Sequence, residues 1–233
     1  MINVNAYILN YKDIKDFDRK YTLLTKEFGK IEAICKSVLK PSSKLVGHLE
    51  PVNFSWLEII ETKNGWQIIK ALENNSFLNL RNNLEAFRVS LSLAQFLDEF
   101  IYGLDIEIFD LWQDFLNKLD SYSLEKEVNF NFLKAQFILK SLKILGFMPE
   151  LNCANCGKKI TTNAFLSEDQ FFCRTCLPKE NIWKFVDKKT LEIISLILNG
   201  IWFKNSSQSK EIIEITDYFK QKKIHINLKY IDP

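Results

Sequence analysis

The stretch that decides the fold runs from Phe54 to Leu72 and reads FSWLEIIETKNGWQIIKAL. Its first half, Phe54 to Ile59, alternates between the two faces in the period-2 manner of a half-buried β-strand. The Lys63-Asn64-Gly65 turn that follows, with its Asn-Gly pair, is the strongest hairpin signal in the chain. The stretch is therefore predicted to be a β-hairpin.

Three further apolar or β-branched runs precede this hairpin. Between the second and third of them, Lys26–Gly29 is a tight-turn candidate, because Gly29 can take a positive φ. Five short strands within the first 75 residues suit a small closed barrel, and the OB fold is the five-stranded barrel that often binds nucleic acid. The predicted strands are Asn5–Tyr11, Lys20–Thr25, Lys30–Ser37, Val52–Thr62 and Gly65–Leu72.

From Ser76 onward the apolar residues recur every three or four positions, which is typical of amphipathic helices. One long helix is predicted from an N-cap at Ser76 to a stop at Gly103. Further helices are predicted over Ile106–Leu119, Phe130–Leu145, Asp187–Leu198 and Ser209–Gln221. The expected fold is α+β, with a five-stranded OB-fold barrel followed by an all-helical domain that carries an inserted zinc module. The expected segments are 1–75 (barrel), 76–150 (helical, first part), 151–180 (zinc module) and 181–233 (helical, C-terminal part).

Four cysteines form the pattern C-x2-C-x16-C-x2-C, which has the spacing of a four-cysteine zinc site. Each two-residue spacer places a pair of sulfurs on one side of a tight turn, and two such turns supply the corners of a tetrahedron. Two short strands, Ala164–Leu166 and Phe171–Phe172, are expected to bring the turns together. One structural zinc ion is therefore predicted, bound by Cys153, Cys156, Cys173 and Cys176.

A catalytic zinc is disfavoured. His48-Leu49-Glu50 matches the H-x-E element of zinc deaminases. However, neither C-x2-C pair is directly preceded by a proline, and the first pair lies too far along the chain from His48. Four thiolates would also leave no position for the water that a catalytic zinc activates. The fifth cysteine, Cys35, lies in an apolar strand and is expected to be a small core residue.

Composition excludes several other classes of protein. With 47% hydrophobic and 26% charged residues the chain is ordinary for a globular protein, and its 7 glycines include neither a GxxxxGK[ST] nor a GxGxxG motif. No signal peptide and no apolar run of membrane-spanning length is evident. A cytosolic protein without a membrane or small-molecule partner is expected, in which cysteine pairs indicate metal rather than disulfides.

A series of lysines follows the second predicted strand. The later members lie in a loop marked by Pro41, where ammonium groups can follow a phosphate backbone and displace its counterions. Nearby aromatic residues (Tyr21, Phe28, Phe54 and Trp56) offer rings on which bases could stack. The alternative, a solvated lysine surface above core aromatics, stays open. The candidate DNA-binding residues are Lys26, Lys30, Lys36, Lys40 and Lys44.

These features together resemble the RecO family of bacterial recombination-repair mediators over nearly the full chain. The resemblance rests on YTLLTKEFGKI at 21–31, KPSSKL at 40–45, LEP at 49–51, LKILGFMP at 142–149 and the adjoining cysteine pairs. It implies an OB barrel, a helical domain and a zinc module set within that domain.

The same resemblance implies a non-enzymatic role in the bacterial cytoplasm, at the nucleoid. Such proteins bind single- and double-stranded DNA, anneal complementary strands, work with RecR and help to replace single-stranded-DNA-binding protein by recombinase at gaps. Basic residues of the OB domain face DNA in this family, which corresponds to Lys36, Lys40 and Lys44 here. The segment from Lys36 to Lys40 departs from the family pattern, because it lacks a glycine and at least one arginine.

A second function is compatible with the same residues. The segment 81–150 has an excess of acidic residues, which would suit a basic protein partner. The alternative hypothesis is therefore a zinc-ribbon scaffold that binds proteins without binding DNA directly.

Overall fold

The computed structural model describes residues 1–14, 17–177 and 182–231, with only the backbone described at residue 182 and from residue 223 onward. The chain forms two compact units. The first is Met1–Lys126, and the second begins at Glu127.

The first unit contains a closed five-stranded barrel with the strand order β1-β2-β3-β5-β4. Only the β3–β5 pair is parallel, while the other four neighbouring pairs are antiparallel. The five-stranded OB-like barrel predicted from the sequence is therefore confirmed, with some strands longer than predicted. The strands are β1 (Ile2–Asp13), β2 (Arg19–Thr25), β3 (Gly29–Cys35), β4 (Phe54–Thr62) and β5 (Gly65–Asn75).

The barrel core is built from the inward-facing residues of each strand. On β4 these are Ser55, Leu57 and Ile59, which are fully buried, as the alternating pattern predicts. Their hairpin partner β5 follows the two-residue turn Lys63-Asn64 and begins at Gly65, which pairs with Thr62. Gly65 has a φ of 97°, a conformation that favours glycine. Buried residues of the other strands and of the loop after β3 complete the core: Val4, Ala6, Ile8, Tyr21, Leu23, Ala33, Cys35, Val38, Leu49 and Ile68.

The prediction of one long helix after the barrel is wrong. The chain forms a short helix α1 (Leu78–Asn82) and a longer helix α2 (Leu84–Phe100), separated by Asn83 in an extended conformation. The Asn83 side chain caps α2 by accepting from the N–H of Ala86 at 3.2 Å, which satisfies a backbone donor left free at the helix start. The N-cap of α1 is Phe77, at a φ of 52°, and not Ser76.

Helix α3 (Ile106–Tyr122) closes the first unit, and the loop before it packs against the barrel. The N–H of Lys30, at the start of β3, donates to the carbonyl oxygen of Gly103 at 3.1 Å. A Cβ added at Gly29 would lie 2.1 Å from that same oxygen. The turn between β2 and β3 can therefore approach this loop closely only because residue 29 has no side chain.

The second unit combines three helices with a small antiparallel sheet of order β7-β6-β8. Helix α4 packs against both α5 and α6. The predicted short strands are confirmed, whereas β8 was not predicted and α6 is longer than predicted. The elements are α4 (Phe130–Ile144), β6 (Ala164–Ser167), β7 (Gln170–Cys173), β8 (Ile182–Val186), α5 (Lys188–Leu198) and α6 (Ser209–Ile231). Among the described residues no helix combines the length and apolar character needed to cross a membrane.

Candidate metal centre and nucleic-acid interface

The four cysteines of the two C-x2-C pairs converge in the second unit. Their sulfur atoms all lie within 4.8 Å of one another, and the Sγ atoms of Cys156 and Cys173 are 4.0 Å apart. Tetrahedral coordination with metal–sulfur bonds of about 2.3 Å places sulfur atoms about 3.8 Å apart. The sulfur–sulfur distances in the observed cluster are only slightly longer than that ideal spacing. The four side chains are therefore positioned to bind one metal ion.

The first pair of cysteines lies on a backbone turn that is closed by two hydrogen bonds. The N–H of Cys153 donates to the carbonyl of Lys158, and the N–H of Gly157 donates to the carbonyl of Cys153, both at 2.8 Å. Gly157 has a φ of 70°, which a residue with a side chain rarely adopts. The turn therefore directs the sulfurs of Cys153 and Cys156 toward the same point.

The second pair of cysteines is placed by the hairpin of β6 and β7. Glu168 and Asp169, the two residues of its turn, both have positive φ, at 46° and 65°, as in the hairpin turns that match the twist of β-strands. Cys173 ends β7, and Cys176 ends the 3₁₀ turn that follows. The N–H of Ala154 donates to the carbonyl of Phe171 at 2.9 Å, which ties the first turn to this hairpin.

The thiols differ in their readiness to ionise when no metal is bound. Burial opposes ionisation of Cys153, but N–H groups of Cys156, Cys173 and Asn155 point at its sulfur and together lower its pKa to about 6. The hydroxyl of Thr175 lowers the pKa of Cys173. The neighbouring Cys173 sulfur, followed by burial, raises the pKa of Cys176 to about 11. A bound divalent cation would offset the repulsion between neighbouring thiolates and favour ionisation of all four thiols, because thiolates are its ligands.

The fifth cysteine has a different environment. Cys35 is fully buried in the barrel core, and burial raises the pKa of its thiol to about 11. Such a thiol is an inert core residue, which confirms the expectation from its apolar strand.

His48, the histidine of the H-x-E match, has a structural contact. Its Nδ1 atom accepts from the N–H of Glu73 at 3.3 Å, a contact that holds the end of β5.

Two of the five candidate lysines contact acidic residues of the helices that follow the barrel. Lys26 forms an ion pair with Asp110 of α3 at 2.9 Å. Lys30 lies 3.7 Å from a carboxylate oxygen of Asp98 on α2 and also donates to the Asp98 backbone carbonyl. These contacts direct both ammonium groups toward the helices of their own unit.

The other three lysines are exposed on the loop 36–53 between β3 and β4, which we call the lysine loop. Lys36, Lys40 and Lys44 form no ion pair with any residue in the described ranges. The loop is anchored beneath them by the buried side chain of Val38 and by a 2.7 Å hydrogen bond from the N–H of Ser37 to Asp18. The structure therefore presents these three charges to solvent from a backbone that is anchored by these contacts.

The aromatic residues singled out from the sequence lie largely in the barrel wall. Tyr21 is fully buried, Phe54 stacks on Tyr7 with ring centroids 4.6 Å apart, and Phe28 packs on Trp66 at 5.5 Å. Tyr21 thus cannot stack on a base in the folded barrel, and for it the core interpretation is correct.

One aromatic residue beside the lysine loop was missed. Phe17, in the loop between β1 and β2, is 44% exposed, and the Nζ atom of Lys40 lies 5.8 Å from its ring centroid. The carbonyl of Phe17 also accepts from the N–H of Leu39 at 3.1 Å. The sequence signal was an aromatic residue between charged residues in a loop joining two strands.

Comparison with known proteins agrees with this architecture. Residues 1–75 match the family model described as Recombination protein O N terminal, and residues 89–230 match the one described as Recombination protein O C terminal. A DNA repair protein RecO of Caldanaerobacter subterraneus is 25% identical over 99% of this chain and 91% of its own length. One from Dehalococcoides mccartyi is 32% identical over 73% of this chain and 68% of its own length. The chain therefore belongs to the RecO family of DNA repair proteins.

Proposed function

We propose that this chain is a non-enzymatic mediator that binds single- and double-stranded DNA and anneals complementary strands. The observation that carries the proposal is the lysine loop, with three exposed ammonium groups on an anchored backbone at the surface of an OB-like barrel. Lysines that neutralise the phosphates of two strands on one surface would lower the repulsion that keeps the strands apart. This activity requires no covalent chemistry.

We propose zinc as the metal of the four-cysteine cluster. Soft thiolate ligands in a tetrahedral arrangement favour zinc over the oxygen-preferring cations magnesium and calcium. Four protein ligands leave no open position for a reacting water, so the ion would be structural. Its contribution would be to hold the turn at Cys153 against the hairpin of β6 and β7.

The expected DNA-binding residues are Lys36, Lys40 and Lys44, with smaller contributions from Lys26 and Lys30, because the last two already contact acidic side chains. Three phosphate contacts predict a slope of roughly −2 for log K against log salt with single-stranded DNA. The double charge reversal Lys36→Glu with Lys40→Glu is expected to weaken binding regardless of sequence and to make that slope shallower by roughly 1.4. Fluorescence anisotropy of a labelled oligonucleotide at several salt concentrations measures both quantities.

A control with the same change in net charge is Lys118→Glu with Lys126→Glu. Lys118 lies within α3, where it pairs with Asp114 at 3.0 Å, and Lys126 follows the end of that helix. This control is expected to leave the salt slope unchanged. Equal effects of the two double variants would show that net charge, and not the lysine loop, governs binding. Binding that does not depend on salt would rule out the phosphate contacts altogether.

The expected protein partners are RecR and single-stranded-DNA-binding protein, and the expected role is to help load recombinase at gaps, in the cytoplasm at the nucleoid. The alternative is a zinc-ribbon scaffold that binds such partners without contacting DNA. A gel-shift assay beside a RecR pull-down separates the two: the scaffold would retain RecR and fail to shift either form of DNA.

A further inference from the structure

The three-stranded sheet of the second unit carries a row of aromatic side chains. Phe165 on β6 pairs directly with Phe172 on β7 and with Phe185 on β8. Directly opposed residues of antiparallel strands place their side chains on the same face of the sheet. Trp183 does not continue the row by alternation, because the pairing of β6 with β8 shifts register between Leu166 and Ser167 and leaves Trp183 without a partner on β6. We call Phe165, Phe172 and Phe185 the aromatic row.

The aromatic row lies on the open face of the sheet. The other face holds Ala164, Leu166, Phe171 and Val186, which are all buried, and the ring of Phe171 packs against Phe219 of α6. On the open face Phe185 is 49% exposed, while Phe165 and Phe172 are half-buried. Folding of the described chain thus covers one face of this sheet and leaves three aromatic residues accessible on the other.

Cations flank the row at one end of the sheet. Cys173 and Val186 both pair with Ala164, so the residues that follow them, including the exposed Arg174 and Lys188, lie at the same end. Lys188 is held there by a 3.0 Å hydrogen bond from its N–H to Asn163, and its ammonium lies 3.6 Å from Glu192 in an exposed pair.

The sides and the opposite end of the row have mixed charge. Trp183 stacks on Tyr218 of α6 at 4.1 Å, with the ammonium groups of Lys184 and Lys222 each 5.6 Å from one of the two rings. Lys184 is also paired with Glu214. At the far end lies the acidic turn of Glu168 and Asp169. A polyanion would therefore cross the row at the end marked by Arg174 and Lys188.

We propose that the aromatic row is a stacking surface for the bases of single-stranded DNA, distinct from the lysine loop of the barrel. Aromatic rings beside cations are the combination used by proteins that bind single strands, because every base has a π-face and every nucleotide a phosphate. The ring centroids of Phe165 and Phe185 lie 5.5 Å apart, so neighbouring rings can each contact a base. This inference rests on the proposed function and adds base contact to phosphate contact.

The test compares the full-length, zinc-loaded protein with its Phe185→Thr variant. Threonine keeps the β-propensity of the strand and removes the ring. The probes are a labelled oligothymidylate and an abasic oligonucleotide of the same length. Stacking of one base on an aromatic residue corresponds to a change in affinity of about fivefold or more. The variant is expected to bind oligothymidylate about fivefold or more weakly than the wild type. Its affinity for the abasic strand and the salt dependence of its binding should equal those of the wild type.

The matched control is Leu196→Ala, which removes an apolar side chain of similar exposure, 41%, from α5 of the same unit and is expected to change neither affinity. A second readout does not depend on the folding of Phe185→Thr. Trp183 is 41% exposed and lies two residues from Phe185 on β8, so oligothymidylate bound on the row should quench its fluorescence. The conservative variant Trp183→Phe should therefore lose part of the quenching seen in the wild type.

The outcomes separate the two proposals. Suppose that the wild type binds oligothymidylate, that the lysine-loop reversal weakens this binding, and that Phe185→Thr leaves it unchanged. The stacking surface is then overturned and the proposed function stands. If the wild type binds neither strand, the proposed function fails and this inference fails with it. If Phe185→Thr loses RecR binding but keeps DNA binding, the row is a protein contact and base stacking is overturned.

Discussion

Gly29 shows how a single missing side chain joins the barrel to the helices of the first unit. The residue has a φ of 65°, and an added Cβ would lie 2.1 Å from the carbonyl oxygen of Gly103 and 2.4 Å from the Cα of Leu104. Both neighbours are backbone atoms, so neither can rotate away as a side chain would. The close approach also allows the hydrogen bond from the N–H of Lys30 to Gly103.

The variant Gly29→Ala is therefore expected to be strongly destabilised. A left-handed φ costs a residue with a side chain about 1–2 kcal/mol, and the displacement of the loop at Gly103 adds to that cost. The matched control is Gly65→Ala, where φ is 97° but no atom lies within 4 Å of the added Cβ. Urea unfolding should show a larger loss of stability for Gly29→Ala, and equal losses would contradict the steric argument.

At the scale of elements, the lysine loop depends on helix α1 for its position. The guanidinium of Arg81 on α1 donates from Nη2 to the carbonyl oxygen of Pro51 at 2.7 Å and to the side chain of Asn53 at 2.6 Å. Its Nε donates to the carbonyl oxygen of Ser76 at 2.7 Å. Arg81 thus ties the end of the loop to the start of the helical segment. Burial of its guanidinium lowers the pKa of Arg81.

We expect Arg81→Lys to loosen this connection although it keeps the charge. One ammonium cannot reproduce the rigid fork of the guanidinium, and a lost hydrogen bond from a charged group costs about 1.5–3 kcal/mol. Hydrogen exchange should become faster in residues 46–53, and the free energy of unfolding should fall. Arg88→Lys, at an exposed position on α2, is the control, with an expected change within about 0.5 kcal/mol. Unchanged exchange in Arg81→Lys would show that the loop is held by other contacts.

At the scale of the whole molecule, the metal site and the barrel lie in different compact units. The four cysteines all belong to the unit that begins at Glu127, whereas the lysine loop belongs to Met1–Lys126. Binding energy of a structural metal is folding energy for the segment that provides its ligands. The division into separate domains at residues 75, 150 and 180 stays a prediction.

Removal of the metal is therefore expected to destabilise the second unit selectively. Cys173→Ser, or a chelator on the wild type, should abolish bound zinc and increase hydrogen exchange around residues 151–176 while exchange in the barrel strands stays slow. Cys35→Ala is the control, because it removes the buried barrel cysteine and should keep one zinc per chain by elemental analysis. A wild-type protein without metal, or a melting curve unchanged in Cys173→Ser, would contradict the structural role.

The local patterns of the chain were enough to predict the barrel and the clustering of the four cysteines. Alternation in Phe54–Ile59 and the turn Lys63-Asn64-Gly65 indicate a hairpin, because a strand's two faces differ in burial and a tight turn needs special backbone angles. The spacing of the four cysteines predicted that their sulfurs would converge, because a two-residue spacer on a tight turn brings both sulfurs of a pair to one side of the chain. These features depend on residues that are close together in the sequence.

Only the tertiary structure decided which side chains are accessible. Lys26 and Lys44 look alike in the sequence, but Asp110 of α3 pairs with Lys26 and no described residue forms an ion pair with Lys44. Tyr21 and Phe185 are both strand aromatics, but the barrel closes over Tyr21 while Phe185 stays on an open face. Burial and ion pairing depend on partners far away in the chain, and local periodicity shows which residues share a face but not what covers that face.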